Sequence, residues 1–131
     1  MAEAMKWNIT PEDVAKNRLV DPGWHTCAIK DFTIELAKNK EAHNAVFTFR
    51  VHTGPFTGAE KIIYFSEKVP VMMMNLLEAL GAKKNEDGSM SANLSKDALV
   101  TDPPILVKCK FARGEYNGKP QNEITEYAPA A

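Results

Sequence analysis

Hydrophobic and polar residues alternate in several runs of this chain, and an alternation of period two is typical of half-buried β-strands. The clearest run covers residues 45–52. Its predicted core face carries Phe47 and Phe49. Its half-exposed face ends in Arg50 and His52. Comparable runs predict four further strands, at 24–34, 60–65, 105–112 and 121–127.

A helical pattern interrupts the strands after residue 65. Apolar residues from Met73 to Leu80 recur at helical spacing, with Pro70 near the start and Gly81 as the stop. We expect the methionines at 72–74 to fill an uneven gap at the end of a barrel, since Met adapts to irregular spaces. A long polar connection then leads to Pro104, with a single helical turn expected near 95–99.

The N-terminal segment also carries a helix signal. Thr10-Pro11-Glu12-Asp13 supplies an N-cap, a proline at the first helical position and acids in the first turn. This predicts a short helix over residues 11–18. We expect Val14, with Leu19 or Val20, to pack this helix onto the body of the protein.

A hairpin is predicted near the C-terminus. Asn117-Gly118 stands between two alternating runs, and this dipeptide favours a tight turn because both central residues need positive φ. Lys108, Lys110, Arg113, Tyr116 and Lys119 surround the turn. Cations beside an aromatic ring are what a grip on single-stranded nucleic acid needs.

The element order is five strands with a helix between the third and fourth and a short N-terminal helix. This order is that of the OB-fold, a five-stranded, partly open Greek-key barrel. Residues 1–20 are predicted to be an extension, 21–128 the OB-fold domain and 129–131 a frayed tail. The loops expected to meet a ligand are 37–44, with Lys38 and Lys40, and 113–120, with Arg113 and Lys119.

Composition narrows the class of protein. The chain has 131 residues, which favours one domain, and a net charge of −1, which requires any phosphate site to be a local basic surface. Its apolar runs are too short for a membrane span and the N-terminus lacks a signal-peptide pattern, so a cytoplasmic protein is expected. Cys27 and Cys109 lie in strand-like runs and are interpreted as small buried residues of a cytosolic protein, with a disulfide between neighbouring strands as the alternative.

Catalytic and metal chemistry is not expected. The histidines and cysteines lack the paired spacing of zinc ligands, and no phosphate-binding loop or nucleophile elbow occurs. The neighbouring acids of the chain are explained by a helix start and a polar loop. We therefore predict a non-enzyme with no cofactor and no metal.

Four short motifs together resemble a family of phage and prophage proteins that are similar to single-stranded DNA-binding proteins. The motifs are Pro22-Gly23-Trp24, Gly54-Pro-Phe-Thr-Gly58, Leu77-Glu-Ala-Leu-Gly81 and Glu115-Tyr-Asn-Gly-Lys119 with Asn122. The resemblance covers residues 20–129 and implies an OB-fold. The chain departs from the family before the fourth strand, where it has Asp102-Pro103-Pro104 rather than a glycine. It also lacks a long acidic tail, so recruitment of partners through such a tail is not assumed.

The resulting prediction is a sequence-tolerant single-stranded DNA-binding protein of phage type, acting in DNA replication or recombination in the host cytoplasm. Phage replication or recombination proteins are its expected partners, and a homodimer is its expected state. The candidate DNA-binding side chains other than aromatic rings are Lys30, Lys38, Lys40, Arg50, His52, Lys61, Lys108, Lys110, Arg113 and Lys119. The candidate stacking rings are Trp24, Tyr64 and Tyr116.

Each candidate has a structural alternative. Trp24 can seal the end of the barrel, Tyr64 can belong to the core, and Tyr116 can be a solvated turn residue. Lys108 and Lys110 can form an ordinary solvated face or guard a sheet edge. The alternative function is a protein-interaction or assembly module, in which strand edges or the Met-rich helix bind another protein.

Overall fold

The computed structural model describes residues 4, 6–36, 43–67, 70–90, 92 and 94–130. Over these residues the protein is mainly β, as the alternation predicted. The strands are β1 (Gly23–Leu36), β2 (His43–Val51), β3 (Glu60–Ser66), β4 (Leu106–Tyr116) and β5 (Lys119–Pro129). The helices are α1 (Pro11–Lys16), α2 (Val71–Ala79) and α3 (Lys96–Leu99).

The strands form one antiparallel sheet in the order β3-β2-β1-β4-β5. Its edges, β3 and β5, are not paired with each other within the described residues, so the sheet is not closed. The register shifts at two places: β1 has one extra residue at Lys30, and β5 has one opposite the Lys110–Phe111 step. A β-bulge of this kind bends the strand and shifts its alternation by one residue.

The core lies on one side of the sheet, which we call the inner face. Phe47 and Phe49 of β2 are fully buried there, as predicted, together with Val107 of β4. Removing one such aromatic ring from water contributes about 1.5–3 kcal/mol. Cys27 and Cys109 lie on the same face as buried free thiols, which confirms their interpretation as small buried residues.

Helix α2 covers part of the inner face. Pro70 precedes it and Gly81, with a φ of 100°, follows its end, as the sequence signals predicted. Leu76 is fully buried, and Met72 and Met73 pack against the core cluster. These two methionines fill space beside the core, whereas the barrel end at which they were expected is not formed by this open sheet. From β5, the ring of Tyr127 lies 5.7 Å from Phe49.

The last two strands extend well beyond the rest of the sheet. The last pair between β1 and β4 is Gly23 with Phe111, so residues 112–123 form a two-stranded projection that we call the arm. Its turn is Asn117-Gly118, with φ values of 51° and 76°, which confirms the predicted tight hairpin. The expected loop 113–120 is thus mostly paired strand. The expected frayed end is also shorter, since β5 continues to Pro129.

The N-terminal segment begins with the predicted cap. Thr10 and Asp13 form a reciprocal capping box at the start of α1. The expectation that Val14 packs the helix onto the body was wrong, because 58% of this residue is exposed. Val20, which was also expected to make this contact, is buried against the core, as predicted. The helix has contacts of its own, since Ala15 lies against Gly58 and the Arg18 guanidinium, just after the helix, lies 5.2 Å from the centre of the Phe56 ring.

Two side chains of the arm hold the end of the N-terminal segment. The buried side chain of Asn122 accepts a hydrogen bond from the Val20 amide (2.8 Å) and donates one to the Arg18 carbonyl (2.9 Å). The Arg113 guanidinium donates to the Val20 carbonyl at 3.1 Å. These three bonds satisfy backbone groups that no strand pairs, so the extension follows the inner side of the arm.

Candidate nucleic-acid interface

The side of the sheet that carries no core cluster is called the outer face. Directly paired residues of neighbouring strands share a face, so the register defines its members. One row contains Trp24 and Lys110, the next Thr26 and Lys108, and a third Ala28, Arg50 and Glu60. In a further row, Val46 of β2 pairs with Tyr64 of β3. Two of the three candidate rings and three candidate cations thus occupy one face.

Trp24 and Lys110 form the first part of this face. Trp24 is 45% exposed, so it does not seal a core as the structural alternative required. Lys110 lies beside it and forms an ion pair of 2.9 Å with Glu126 of β5. Lys108, one row further along, is exposed and has no ion pair with any described residue. This region offers a ring, one paired cation and one unpaired cation.

Tyr64 forms the opposite side of the face. It is 59% exposed, and Ile62 on the same side of β3 is 50% exposed. Tyr64 is therefore a surface residue, which decides between the two interpretations that the sequence left open. Tyr64 pairs with Val46, which pairs with Thr33 of β1, nine residues beyond Trp24, so the Trp24 and Tyr64 rows lie roughly 30 Å apart along β1 at about 3.3 Å per residue.

A groove lies between these two aromatic positions. Its volume is about 490 Å³, and it is bounded by the β1–β2 pair and by residues 100–104, which lead into β4. Lys30, Arg50 and His52 all line it, together with the apolar Ala28 and Pro104. The structure thus brings three predicted DNA-binding residues to one concave site. The bulge at Lys30 accompanies this arrangement, since its ammonium reaches Glu60 of the outer face at 2.5 Å.

Two predicted site residues lie elsewhere. Lys61 pairs with Phe49, so it belongs to the inner side of β3 with Ile63 and Phe65. Arg113 pairs with Asn122 on the inner side of the arm, where its guanidinium binds the Val20 carbonyl. Neither residue shares the outer face with Trp24 and Arg50, because strand alternation turns odd and even positions to opposite sides.

Tyr116 and Lys119 lie at the tip of the arm. They form the last pair of the β4–β5 ladder, and Tyr116 is 67% exposed. Six residues of strand separate Tyr116 from Lys110, which corresponds to roughly 20 Å at about 3.3 Å per residue. The tip is therefore a separate aromatic and cationic position. Lys38 and Lys40 lie outside the described residues.

Acidic side chains moderate the charge of the outer face. Glu60 pairs with Lys30, and Glu126 pairs with Lys110. Asp31 forms an ion pair of 3.0 Å with Lys96 of α3, and hydrogen bonds from Lys96 and from the Phe32 amide hold the pKa of its carboxyl below the usual value. Arg50, like Lys108, has no ion pair with a described residue. These two are the cations that a phosphate can reach without breaking an existing pair.

Sequence reasoning missed the residues that shape the groove. Thr57, from the turn after β2, and Thr101 and Asp102, from the connection before β4, line it beside the cations, and none of the three was among the predicted site residues. Glu60 was also missed as the partner of Lys30. The departure at Asp102-Pro103-Pro104 was visible in the sequence, but the position of this segment over β1 and β2 follows from tertiary packing.

A second groove, also of about 490 Å³, lies on the inner side near the start of β2. It is mostly apolar and is lined by Ile34, Met73, Leu77 and Met90, among others. Ile34 is 61% exposed. Within the described residues, no three His, Cys, Asp or Glu side chains are grouped so as to hold a metal ion. In the same part of the chain, no helix is long and apolar enough to cross a membrane.

Comparison of the chain with protein-family models and with curated proteins finds no match. The proposed role therefore depends on the geometry of the outer face and on the motif resemblance described above.

Proposed function

We propose that the protein binds single-stranded DNA across the outer face of its sheet, with little dependence on sequence. The observation that supports this most directly is the presence of Trp24, Tyr64, Arg50 and Lys108 on the one sheet face that carries no core cluster. A single strand differs from a duplex in offering unstacked bases next to phosphates. Exposed rings and cations on one surface match both parts of that ligand.

In this proposal the DNA strand runs along the sheet, from the Trp24 row to the Tyr64 row nine residues further along β1. A base stacks on each ring, which contributes about 1–3 kcal/mol per base and is insensitive to base identity. Between the rings, the groove beside Lys30 and Arg50 receives the backbone. Lys108 and Lys110 neutralise phosphates on the β4 side and release counterions.

The ion pairs of the outer face limit the affinity. Lys30 and Lys110 must leave Glu60 and Glu126, or share their protons with them, before they contact a phosphate. A net charge of −1 adds no long-range attraction. Moderate affinity that weakens steadily with salt is expected, because each phosphate contact releases counterions.

The proposal includes the assignment of this sheet to the OB-fold. The pairs β1–β2, β2–β3, β1–β4 and β4–β5 are those of a five-stranded OB-fold barrel, with the seam left between β3 and β5. The contact of Tyr127 of β5 with Phe65 of β3, at 6.0 Å between ring centres, supports the approach of these two edges on the inner side. The motif resemblance supports a role in phage DNA replication or recombination.

Titration of a fluorescently labelled oligo-dT with the protein tests the proposal. We expect binding at low salt and a linear decrease of log affinity with log salt concentration. A duplex of the same length should bind more weakly, because its bases are not available for stacking. Absence of oligo-dT binding at low salt would contradict the proposal.

The apolar inner groove favours a second candidate, a protein-interaction module. Met73 of the Met-rich helix lines this groove, and thioether side chains adapt to varied partners. In that case substitution of Met73 and Leu77 would abolish partner binding and leave oligonucleotide binding unchanged. Substitution of Trp24 and Tyr64 would do the reverse if the outer face binds DNA.

A further inference from the structure

The groove on the outer face contains a carboxylate that the cations do not neutralise. Asp102 lines the groove with Lys30 and Arg50 and is exposed, and no described residue forms an ion pair with it. A carboxylate accepts hydrogen bonds and repels a phosphate. A strand that places its phosphate on Lys30 and Arg50 must therefore turn some other group toward Asp102.

The two threonines of the groove are also acceptors. The Thr101 hydroxyl donates to the Pro103 carbonyl at 2.8 Å, and the Thr57 hydroxyl donates to the Gly54 carbonyl at 2.7 Å. Each hydroxyl has a single hydrogen, so only lone pairs remain for a ligand. The loop side of the groove thus presents acceptors, and the sheet side presents the cationic donors Lys30 and Arg50.

Nucleobases differ in whether they offer a hydrogen-bond donor to this group of acceptors. Cytosine, adenine and guanine carry exocyclic amino groups, which donate hydrogen bonds, and acidic side chains accept from the cytosine amino group in known base recognition. Uracil and thymine have carbonyl oxygens at the equivalent position, which a carboxylate repels. The volume of about 490 Å³ lies within the range of small-molecule sites, and Ala28 and Pro104 provide apolar walls for a base.

We propose that this groove is a base subsite that selects an amino-bearing base, with Asp102 as the residue that determines the preference. This inference rests on the proposed binding of single-stranded DNA. It adds a modest preference at one nucleotide position to binding that is otherwise tolerant of sequence, since stacking on Trp24 and Tyr64 does not distinguish the bases.

Fluorescence anisotropy with oligo-dC and oligo-dU of equal length tests the subsite, because the two differ only at the base edge: cytosine has an amino group where uracil has the O4 carbonyl, and its N3 is an acceptor where that of uracil is an N–H donor. We expect the wild-type protein to bind oligo-dC roughly fivefold more tightly, the low end of discrimination by base-edge contacts. In Asp102→Asn the preference should disappear, because an amide both donates and accepts. The affinity for oligo-dU should rise, because a negative charge is lost.

Asp97→Asn is the matched control. Asp97 is an exposed acid in the first turn of α3, and it does not line the groove. It should keep the preference for oligo-dC. Equal binding of the two oligonucleotides by the wild-type protein, or an unchanged preference in Asp102→Asn, would overturn the subsite and leave the proposed function standing. Absence of binding to both oligonucleotides and to oligo-dT would contradict the proposed function itself.

Discussion

Strand β4 uses its cations differently on its two sides. On the inner side of the arm, Arg113 donates to the Val20 carbonyl and works with Asn122 to fix the N-terminal segment. On the outer side, Lys108 is exposed and unpaired among the described residues, and Lys110 has only the exposed partner Glu126. Arg113 therefore has a structural role, whereas Lys108 and Lys110 are candidate ligand contacts, because adjacent strand positions face opposite sides.

The same contrast holds for aromatic residues. Phe47 and Phe49 are fully buried on the inner face, whereas Trp24 and Tyr64 are half-exposed on the outer face. Burial of the first pair stabilises the fold, and exposure of the second pair leaves ring surface available to a ligand. We expect substitutions on the inner face to change the free energy of unfolding and those on the outer face to change the affinity for oligonucleotides.

The largest effect should come from the inner face. Phe47→Ala removes a fully buried ring in contact with Phe32 and Phe65, and the cavity should lower the free energy of unfolding by about 3–5 kcal/mol. Tyr64→Ala, on the adjacent strand but exposed, should change it by about 0.5 kcal/mol or less. Urea unfolding of both variants measures the difference. Similar losses would contradict the assignment of the two faces.

The outer rings should show the opposite behaviour. In the double variant Trp24→Ala and Tyr64→Ala, oligo-dT affinity should fall by about 1–3 kcal/mol for each ring that stacks with a base. The melting temperature should stay close to that of the wild-type protein. Anisotropy titration measures the affinity, with Tyr116→Ala as a comparison at the tip of the arm. Unchanged affinity in the double variant would remove these rings from the site.

The clamp on the inner side of the arm should have an intermediate effect. Asn122→Ala leaves the Val20 amide without its acceptor in a buried position and should cost about 1–3 kcal/mol of stability. Trypsin should then cut faster after Lys16 and Arg18, because the segment is released. Gln121→Ala, at the next position on the opposite side of β5, is the control. Equal stability and equal cleavage in both variants would contradict the clamp.

The smallest effect should come from the ion pairs of the outer face. Glu126→Gln frees Lys110 from its carboxylate partner, so oligo-dT affinity should rise by about 1 kcal/mol or less, the usual size of an exposed pair. The salt dependence should steepen as Lys110 contacts a phosphate. Glu78→Gln is a control with the same charge change, because it breaks the ion pair between Glu78 of α2 and Lys84, which follows this helix. An equal gain in the control would indicate a general charge effect.

Most of the fold could be predicted from signals between residues that are neighbours in the sequence. The turn at Asn117-Gly118, the α1 capping box and the alternation around Phe47 each depend on neighbours in sequence, so their positions followed from residue type. The position of Lys61 was also readable, because it has the same parity as Ile63 and Phe65. It was nevertheless grouped with the candidate site on charge alone.

The candidate site depended on features that residue type does not reveal. Arg113 was assigned to a loop because the fourth strand was expected to end at Ala112, and a loop residue has no fixed face. The bulge at Lys30 shifts the alternation of β1 beyond that point. The groove forms only when residues 100–104 pack beside β1 and β2. The predicted cations therefore differ from those that share the outer face, because strand length, bulges and long-range packing could not be predicted from residue type.

The most direct measurement compares two pairs of cations with equal charge change. Arg50→Ala with Lys108→Ala removes the unpaired cations of the outer face, and Lys61→Ala with Lys83→Ala removes two cations from other surfaces. Oligo-dT titrations over a series of salt concentrations should show a loss of affinity of about tenfold or more and a reduced salt slope for the first pair only, since the slope counts phosphate contacts. Equal losses in the two pairs, or no loss in the first, would contradict binding across the outer face.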